Sequence, residues 1–600
     1  MMKLRLGFFA RVGFTGVACV SLVACGSGGE KRSSGALIGD ESALVATITL
    51  AEPEALAGTA SISLSWHGEG PIAEYQVLVR ATATSEYATV ASGVTGESTA
   101  MDRGPAWLLD WPTAAVKVRG CDAAGECVDS NEQPLAEALL ATVATLGPPQ
   151  DGPGLFSIAT ALSADGSTLA VNAHAEPVSG SATWQAAAYV FRRSAAGTWT
   201  LEQRIQGTRG SFGAQIALNA TGDTLALPAP DDTFPGGGIN PLPDSCPPGE
   251  LGALQGAVHV YVRTAPGTWT EQAYIKSEFA SDELYPGSFG TPIVLGRDGN
   301  WLSVGSEVPR RGPETDIYLR DSSGTWSRAA HLTNADLGGT IDAAAVQVRV
   351  SAPLGVSGNT RVFATAATYI TYLSEIDEWV GWSAVHVYRQ IPNAAGWALD
   401  GVLQSAKQRP MPIPGDEGDN FGRSPVLDYE GDVVAVGAPT DSSDSSDTVG
   451  NPANVGAESS GAAYVFARTG AGVWQRRAFL KARDARPWDN FARNLQLSAD
   501  GRVLAGDARG KSANVAGVHR NHAEGSVTGA PDESYWGGSV YVFTQTEDGS
   551  WVHSAAVVPP SPLNVSWDFF SFAMTDDAKT LALVARSYTA AGSTGRAYVY

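Results

Sequence analysis

The side chains best able to do chemistry in this chain are few and scattered. Cys121 and Cys127 bracket the short segment Gly120-Cys121-Asp122-Ala123-Ala124-Gly125-Glu126-Cys127. They could pair as a loop disulfide or share a metal, but beyond the N-terminal segment no second Cys pair exists to complete a four-cysteine zinc site. Cys246 is left over in a Pro-rich loop. His519 and His522 form a His-x-x-His pair in a Gly-rich loop. Zinc there would need further ligands, and a plain surface loop is the favoured reading. His259 and His386 occupy equivalent positions of two strands and are expected to pack as structural residues. The chain has no Gly-x-Ser-x-Gly elbow, no His-Glu-x-x-His, no P-loop and no strand-following Gly-x-Gly-x-x-Gly. Paired carboxylates occur in any acidic chain and identify nothing without geometry. The expectation is a chain that is not an enzyme and carries no cofactor, calcium apart.

Composition sets the frame for those residues. The 600 residues are 44% apolar and 17% charged, with 68 Gly and 34 Pro. That is too long for one ordinary core, and its many turn formers favour short strands over long helices. A formal net charge of −22 repels phosphate backbones and anionic lipid, so nucleic acid is not an expected partner. The N-terminus is basic at Lys3, Arg5 and Arg11, and the apolar stretch 12–24 is short for a permanent span. It ends in Leu22-Val23-Ala24-Cys25, which resembles a bacterial lipobox. The resemblance implies a signal peptide over 1–24, lipid on Cys25, and membrane contact through that anchor alone. Gly26 rather than Asp follows the cysteine, as in the outer-membrane-sorted type. Residues 25–43, rich in Gly and Ser, read as a flexible tether. The expected location is the outer membrane, facing the surface or the periplasm.

Two further units follow. Over 44–132, Ile62, Leu64 and Trp66 alternate with Ser, Tyr75, Val77 and Val79 do likewise, and Val116 and Val118 lead into Cys121. This period-two pattern in short runs predicts a β-sandwich. Over 133–600 the sequence repeats. A Tyr-Val-Phe strand followed by a Trp appears as Ala188-Tyr189-Val190-Phe191 with Trp199, and as Ala463-Tyr464-Val465-Phe466 with Trp474. Variants carry Trp269, Trp326, Trp397 and Trp551, and the last copy, Ala597-Tyr598-Val599-Tyr600, has no Trp. Before each lies a Phe, often Phe-Gly, then a strand, an Asp-Gly turn such as Asp165-Gly166, and a small apolar strand such as Val434-Ala435-Val436-Gly437-Ala438-Pro439. Asp-Gly between alternating strands marks a hairpin. Four strands per unit and seven units predict a seven-bladed β-propeller, all-β, in which Leu139–Leu146 completes the last blade or, in the rival reading, forms the final strand of the sandwich. The recurrence of one Trp per unit is better explained by packing than by sugar binding.

The order of Trp, Tyr-x-Val and Val-x-Val-x-x-Cys strands in 44–132 resembles a fibronectin type III domain, with Ala where such domains place a corner Tyr. Phe-Gly, Leu-Ala-Val-Gly-Ala-Pro-like and Tyr-Val-Phe pieces together resemble the FG-GAP repeats of integrin alpha-subunit propellers and of exported bacterial proteins. That resemblance implies calcium in first hairpins, which needs several oxygen ligands. Asp428, Glu430 and Asp432 are the best candidates, with a polar hairpin as the alternative. Asp441, Asp444 and Asp447 in a Ser-rich loop are the second set, with a solvated loop as the alternative. The long loops 228–255, 438–460 and 507–537 should emerge on one face and carry recognition. The expected function is a membrane-anchored recognition or adhesion protein that binds a protein or glycan through those loops. A periplasmic scaffold subunit is the second reading, and a propeller glycan hydrolase or lyase the third.

Overall fold

The computed structural model describes residues 46–600 apart from several segments, the longest being 242–255, 279–288, 406–417, 445–455 and 521–537. No described helix is long and apolar enough to cross a membrane. Cys25 and the tether lie outside the described residues.

Residues 47–134 form two antiparallel sheets. Ser61–Glu69 is flanked by Thr47–Leu50 and by Glu54–Ala55 and Ser98–Asp102. Glu74–Arg80 pairs with Tyr87–Val94 and Ala115–Cys121, and the latter also holds Cys127–Asp129 and Gln133–Pro134. Alternation explains the core: Ile62, Leu64 and Trp66 from one sheet meet Tyr75, Val77, Val116 and Val118 from the other. Cys121 and Cys127 face each other in the strand pair and are joined by a disulfide.

Residues 144–600 form seven antiparallel sheets of four or five strands, giving a β-propeller-like all-β fold. The first, for example, runs Phe156–Leu162, Thr168–Pro177, Trp184–Arg193 and Trp199–Gln206 in spatial order. The seventh contains Ser566–Met574, Leu581–Thr589 and Gly592–Val599, and its fourth strand is Ala144–Leu146, which precedes the first sheet in sequence. The closing strand is shorter than the segment expected for it, because Ala136–Ala141 is helical. The middle strands are buried throughout, as in Thr224–Ala229. Their small residues let neighbouring sheets approach: a Cβ on Gly437 would lie 2.0 Å from the carbonyl oxygen of Ala492.

The turn between the first two strands recurs with one chemistry. A Ser, Asn or Asp side chain accepts the N–H groups four and five residues ahead, as Ser163 does from Ser167 and Thr168, and Asn219 from Asp223 and Thr224. The residue three places on has positive φ, which Gly166 adopts at no steric cost. These turns link to one another through the backbone. Ala164 N–H donates to Ala220, Ala220 to Arg297, Asn359 to Tyr429, Tyr429 to Ala499, Ala499 to Asp576, and Asp576 back to Ala164. The Arg297 side chain of the third sheet reaches Asp576 of the seventh and lies 5.6 Å from the Tyr429 ring of the fifth.

Neighbouring sheets are also stapled at their outer strands. Trp269 Nε1 donates to Glu202 (3.0 Å), Trp326 to Gln272 (3.0 Å) and Trp474 to Asp400 (3.0 Å). In each case the acceptor sits three residues after the Trp of the preceding sheet. Asp400 also accepts from Arg468 Nε (2.8 Å) and Nη2 (2.9 Å). Burial raises the Asp400 pKa, but the hydrogen bonds from Arg468 and Trp474 outweigh it, and the carboxyl sits below its usual range. A carboxyl lowered in the folded state adds stability that is present above its unfolded value, about 4, and lost as pH falls through the folded one. Asp400→Asn is therefore expected to cost about 1–3 kcal/mol at pH 7. The gap to wild type should close in thermal melts taken towards pH 2; a gap that stays constant would refute the assignment.

Candidate functional site

The fifth and sixth sheets differ from the others at the start of their first strands. Phe421-Gly422-Arg423 and Phe491-Ala492-Arg493 are equivalent, and the other copies lack the Arg. Each Phe is buried as an anchor: Phe421 packs edge-on to Tyr464 and Phe466, and Phe491 on Tyr541 and Phe543. Positive φ at Gly422 (106°) and Ala492 (68°), and a register shift just after, re-aim the strand so that Arg423 and Arg493 are exposed. Ser424 Oγ accepts from Leu495 N–H (3.2 Å) and holds the two strands side by side.

A third guanidinium joins them. Arg509 leaves the second strand of the sixth sheet, and its Nε donates to Asp507 Oδ2 (3.0 Å). Asp507 is fully buried and also accepts from the Asn494 backbone (2.6 Å) and side chain (2.7 Å). Burial, then Arg509 and Arg423, pull Arg493 below its ordinary value, while Asp507 acts the other way. Among the described residues no hydrogen bond or ion pair holds the guanidinium of Arg423 or Arg493. Three cations thus gather around Asp507 in a chain of net charge −22. Planar guanidinium forks suit carboxylate, sulfate or phosphate groups.

The loop entering the sixth sheet lies against this cluster. Trp488 is 52% exposed, its carbonyl presses on Gly510, and Gly510 N–H donates to Asp489. Trp488, Asn490 and Ala492 all have positive φ, as do Asn420 and Ser424 in the fifth sheet's entry. Such backbone costs about 1–3 kcal/mol per residue and concentrates where geometry serves function. The sequence did carry a signal for this site, an Arg two residues after the repeat Phe in two successive copies. Reading the repeats for their shared residues passed over it.

Among the described residues, those singled out from sequence for calcium are not brought together. Asp428 Oδ1 accepts the N–H groups of Asp432 (2.8 Å) and Val433 (3.0 Å), the same turn-capping role as Ser163. Burial raises its pKa, with those hydrogen bonds opposing. Glu430 accepts from Asn359 (3.0 Å) and Asp432 from Arg389 (2.7 Å), so the three carboxylates serve three different partners. Asp441 is buried beside the Lys481 ammonium, which supplies the positive charge a calcium would bring. Asp444 is exposed and Asp447 lies outside the described residues. Among the described residues no three His, Cys, Asp or Glu side chains group to hold a metal. His519 is buried in a strand paired with Trp551–Val558, and His522 and Cys246 lie outside the described residues. His259 is buried with Nδ1 2.6 Å from Glu271, and His386 Nε2 is 2.7 Å from the Tyr369 hydroxyl.

No protein-family model and no curated protein sequence matches the chain. Among solved structures it is similar to a Pseudomonas aeruginosa periplasmic gluconolactonase, at 12% identity and TM-score 0.37 over 82% of this chain and 97% of that one. A Trypanosoma rangeli sialidase matches at 11% identity and TM-score 0.34, over 68% and 57%. An ancestral GH74 enzyme matches at 11% identity and TM-score 0.16, over 91% and 80%. These bear on the fold alone. The expectation that the chain is not an enzyme is corrected. All three neighbours are enzymes, so this architecture gives no ground for setting catalysis aside.

Proposed function

We propose that the chain is an exported protein, lipid-anchored through Cys25, whose ring recognises an acidic saccharide at Arg423, Arg493 and Arg509. In this reading the seven sheets are the blades of a closed FG-GAP-like propeller, and 47–134 is a fibronectin type III-like sandwich that lifts it from the membrane. The observation that carries the proposal is the cation cluster itself, three guanidiniums gathered around the buried Asp507 in an acidic chain. Trp488, whose backbone carbonyl lies against Gly510 next to Arg509, is exposed and offers a flat apolar face of the kind sugar rings stack on. This favours a glycan over a protein ligand, and surface or periplasmic recognition over a scaffold role.

Binding of polygalacturonate, with neutral dextran as control, to the full chain in detergent tests this by calorimetry. Arg493→Ala or Arg423→Ala is expected to weaken binding about tenfold or more, the worth of a charged hydrogen bond. Added salt should weaken it further. Reducing-end assays on the same mixtures report whether the bound saccharide is also cleaved. Equal binding of dextran, or variants that bind like wild type, would sink the proposal.

A further inference from the structure

A cavity of about 230 Å³ lies where the N-terminal sheets meet the first and seventh sheets of the ring. Arg103, just past Ser98–Asp102, lines it from one side, Arg193 from the first ring sheet, and Asp577 and Lys579 from the seventh sheet's turn. Arg103 is only 7% exposed, and its Nε and Nη1 have no hydrogen-bond partner among the described residues. The face of the Trp111 ring, 5.9 Å away, is its one close cation contact among the described residues. Burial pulls its guanidinium down to about 10, Asp102 opposing and Arg193 adding, so it stays charged at neutral pH.

Three carboxylates also line the cavity, each with a neighbour of its own. Asp577 pairs with Lys579 (3.0 Å), Asp165 accepts from Ser163 (2.7 Å) and Ser167 (2.9 Å), and Asp102 accepts from Gly104 (2.9 Å). Arg193 donates through Nε to the Gly197 carbonyl (3.3 Å), which carries no formal charge. Arg103 and Arg193, from different parts of the protein, thus line one cavity, and Arg193 adds to the cost of burying Arg103 while Asp102 opposes it. A buried cation whose hydrogen-bond donors lack acceptors is destabilising.

We propose that this cavity binds a small oxyanion, bridging Arg103 and Arg193. The volume admits a molecule of roughly monosaccharide size or less and excludes a polymer. The shared chemistry is a carboxylate or phosphate group offered to two guanidinium forks. A bound anion would also tie the N-terminal sheets to the ring. The site is separate from the Arg423–Arg493–Arg509 cluster, and neither proposal rests on the other.

The test titrates inorganic phosphate and, separately, galacturonate into the full chain in detergent at constant ionic strength, with chloride as reference. Calorimetry and melting temperature are the two readouts. Wild type is expected to bind at least one probe and to melt higher with it. Arg103→Met and Arg193→Gln should each weaken binding about tenfold or more. Arg193→Gln leaves the buried Arg103 untouched, so it stays informative if Arg103→Met folds poorly. The loss in Arg193→Gln should persist in an Arg493→Ala background, where the Arg423–Arg493–Arg509 cluster can no longer supply the binding. Which probe binds decides between an inorganic and a sugar-acid source. Binding of neither probe by wild type, or equal binding by the Arg193→Gln variant, overturns the proposal.

Discussion

Lys481→Met is expected to lower the unfolding free energy by about 3–5 kcal/mol, the usual cost of orphaning a buried charge. Lys481 closes the fourth strand of the fifth sheet, and Asp441 follows its second strand. Both side chains are fully buried. The ammonium lies 2.6 Å from Ser460 Oγ and 3.4 Å from Asp441 Oδ1, and Asp441 also accepts the Ser443 N–H at 2.9 Å. Removing the cation leaves the carboxylate inside a sheet edge that water does not reach. The second sheet repeats the device. Lys276 Nζ is 2.9 Å from Asp232 Oδ1, with the Tyr274 hydroxyl donating to the same oxygen at 2.9 Å. Burial raises the Asp232 pKa, but the Lys276 hydrogen bond and its companions prevail and hold it below the ordinary range. Its contribution is thus kept above about pH 4 and lost at lower pH. A double variant, Lys481→Met with Asp441→Leu, should recover much of the loss, because an apolar pair of similar volume needs no desolvation. Chemical denaturation at pH 7 reads both. A single variant within 1 kcal/mol of wild type, as for an exposed pair, would show that the pair is not buried as described.

Trp111→Ala should cost about 3–5 kcal/mol, as for other buried Trp truncations. Trp111 is 1% exposed and sits where the N-terminal sheets dock on the ring. Its indole donates to the Ala106 carbonyl (3.1 Å), its backbone N–H to Val518 (2.9 Å), and its ring lies 5.7 Å from Tyr600. Gly517 passes against its face, where a Cβ would lie 3.3 Å from the ring. Asp110 adds a hydrogen bond from Arg520 N–H (2.9 Å). The truncation opens a cavity between two parts that otherwise share one core. Two calorimetric transitions are expected in place of one. Trp111→Phe should keep most of the packing and a single transition. One unshifted transition in the Ala variant would show that the junction contributes nothing to stability.

What was legible in the sequence was local. Alternation in Ile62, Leu64 and Trp66, and in the Tyr-Val-Phe runs, marks strands because the pleat sends successive side chains to opposite faces. Asp165-Gly166 and its relatives mark turns because a short polar side chain can cap its own hairpin and Gly tolerates positive φ. Read together, these repeats also announce several like sheets. The fourth strand of the seventh sheet was partly legible too, although the helix Ala136–Ala141 takes up the first three residues of the segment expected for it.

Partnership was not legible, because it depends on distances across the folded chain. Asp441 looked like a calcium ligand because Lys481, which neutralises it, comes 40 residues later. Asp428, Glu430 and Asp432 alternate as a ligand set would, yet the turn sends each to a different donor. Arg423, Arg493 and Arg509 become one cluster only when successive sheets stand side by side. Arg103 meets Arg193 only where the N-terminal sheets dock. The absence of sequence motifs excluded no enzyme, since a site assembled from separate strands leaves no contiguous signature. Local sterics and solvation act between neighbours in the chain and can be read from residue order. Electrostatic pairing acts through space, and only the tertiary structure decided it.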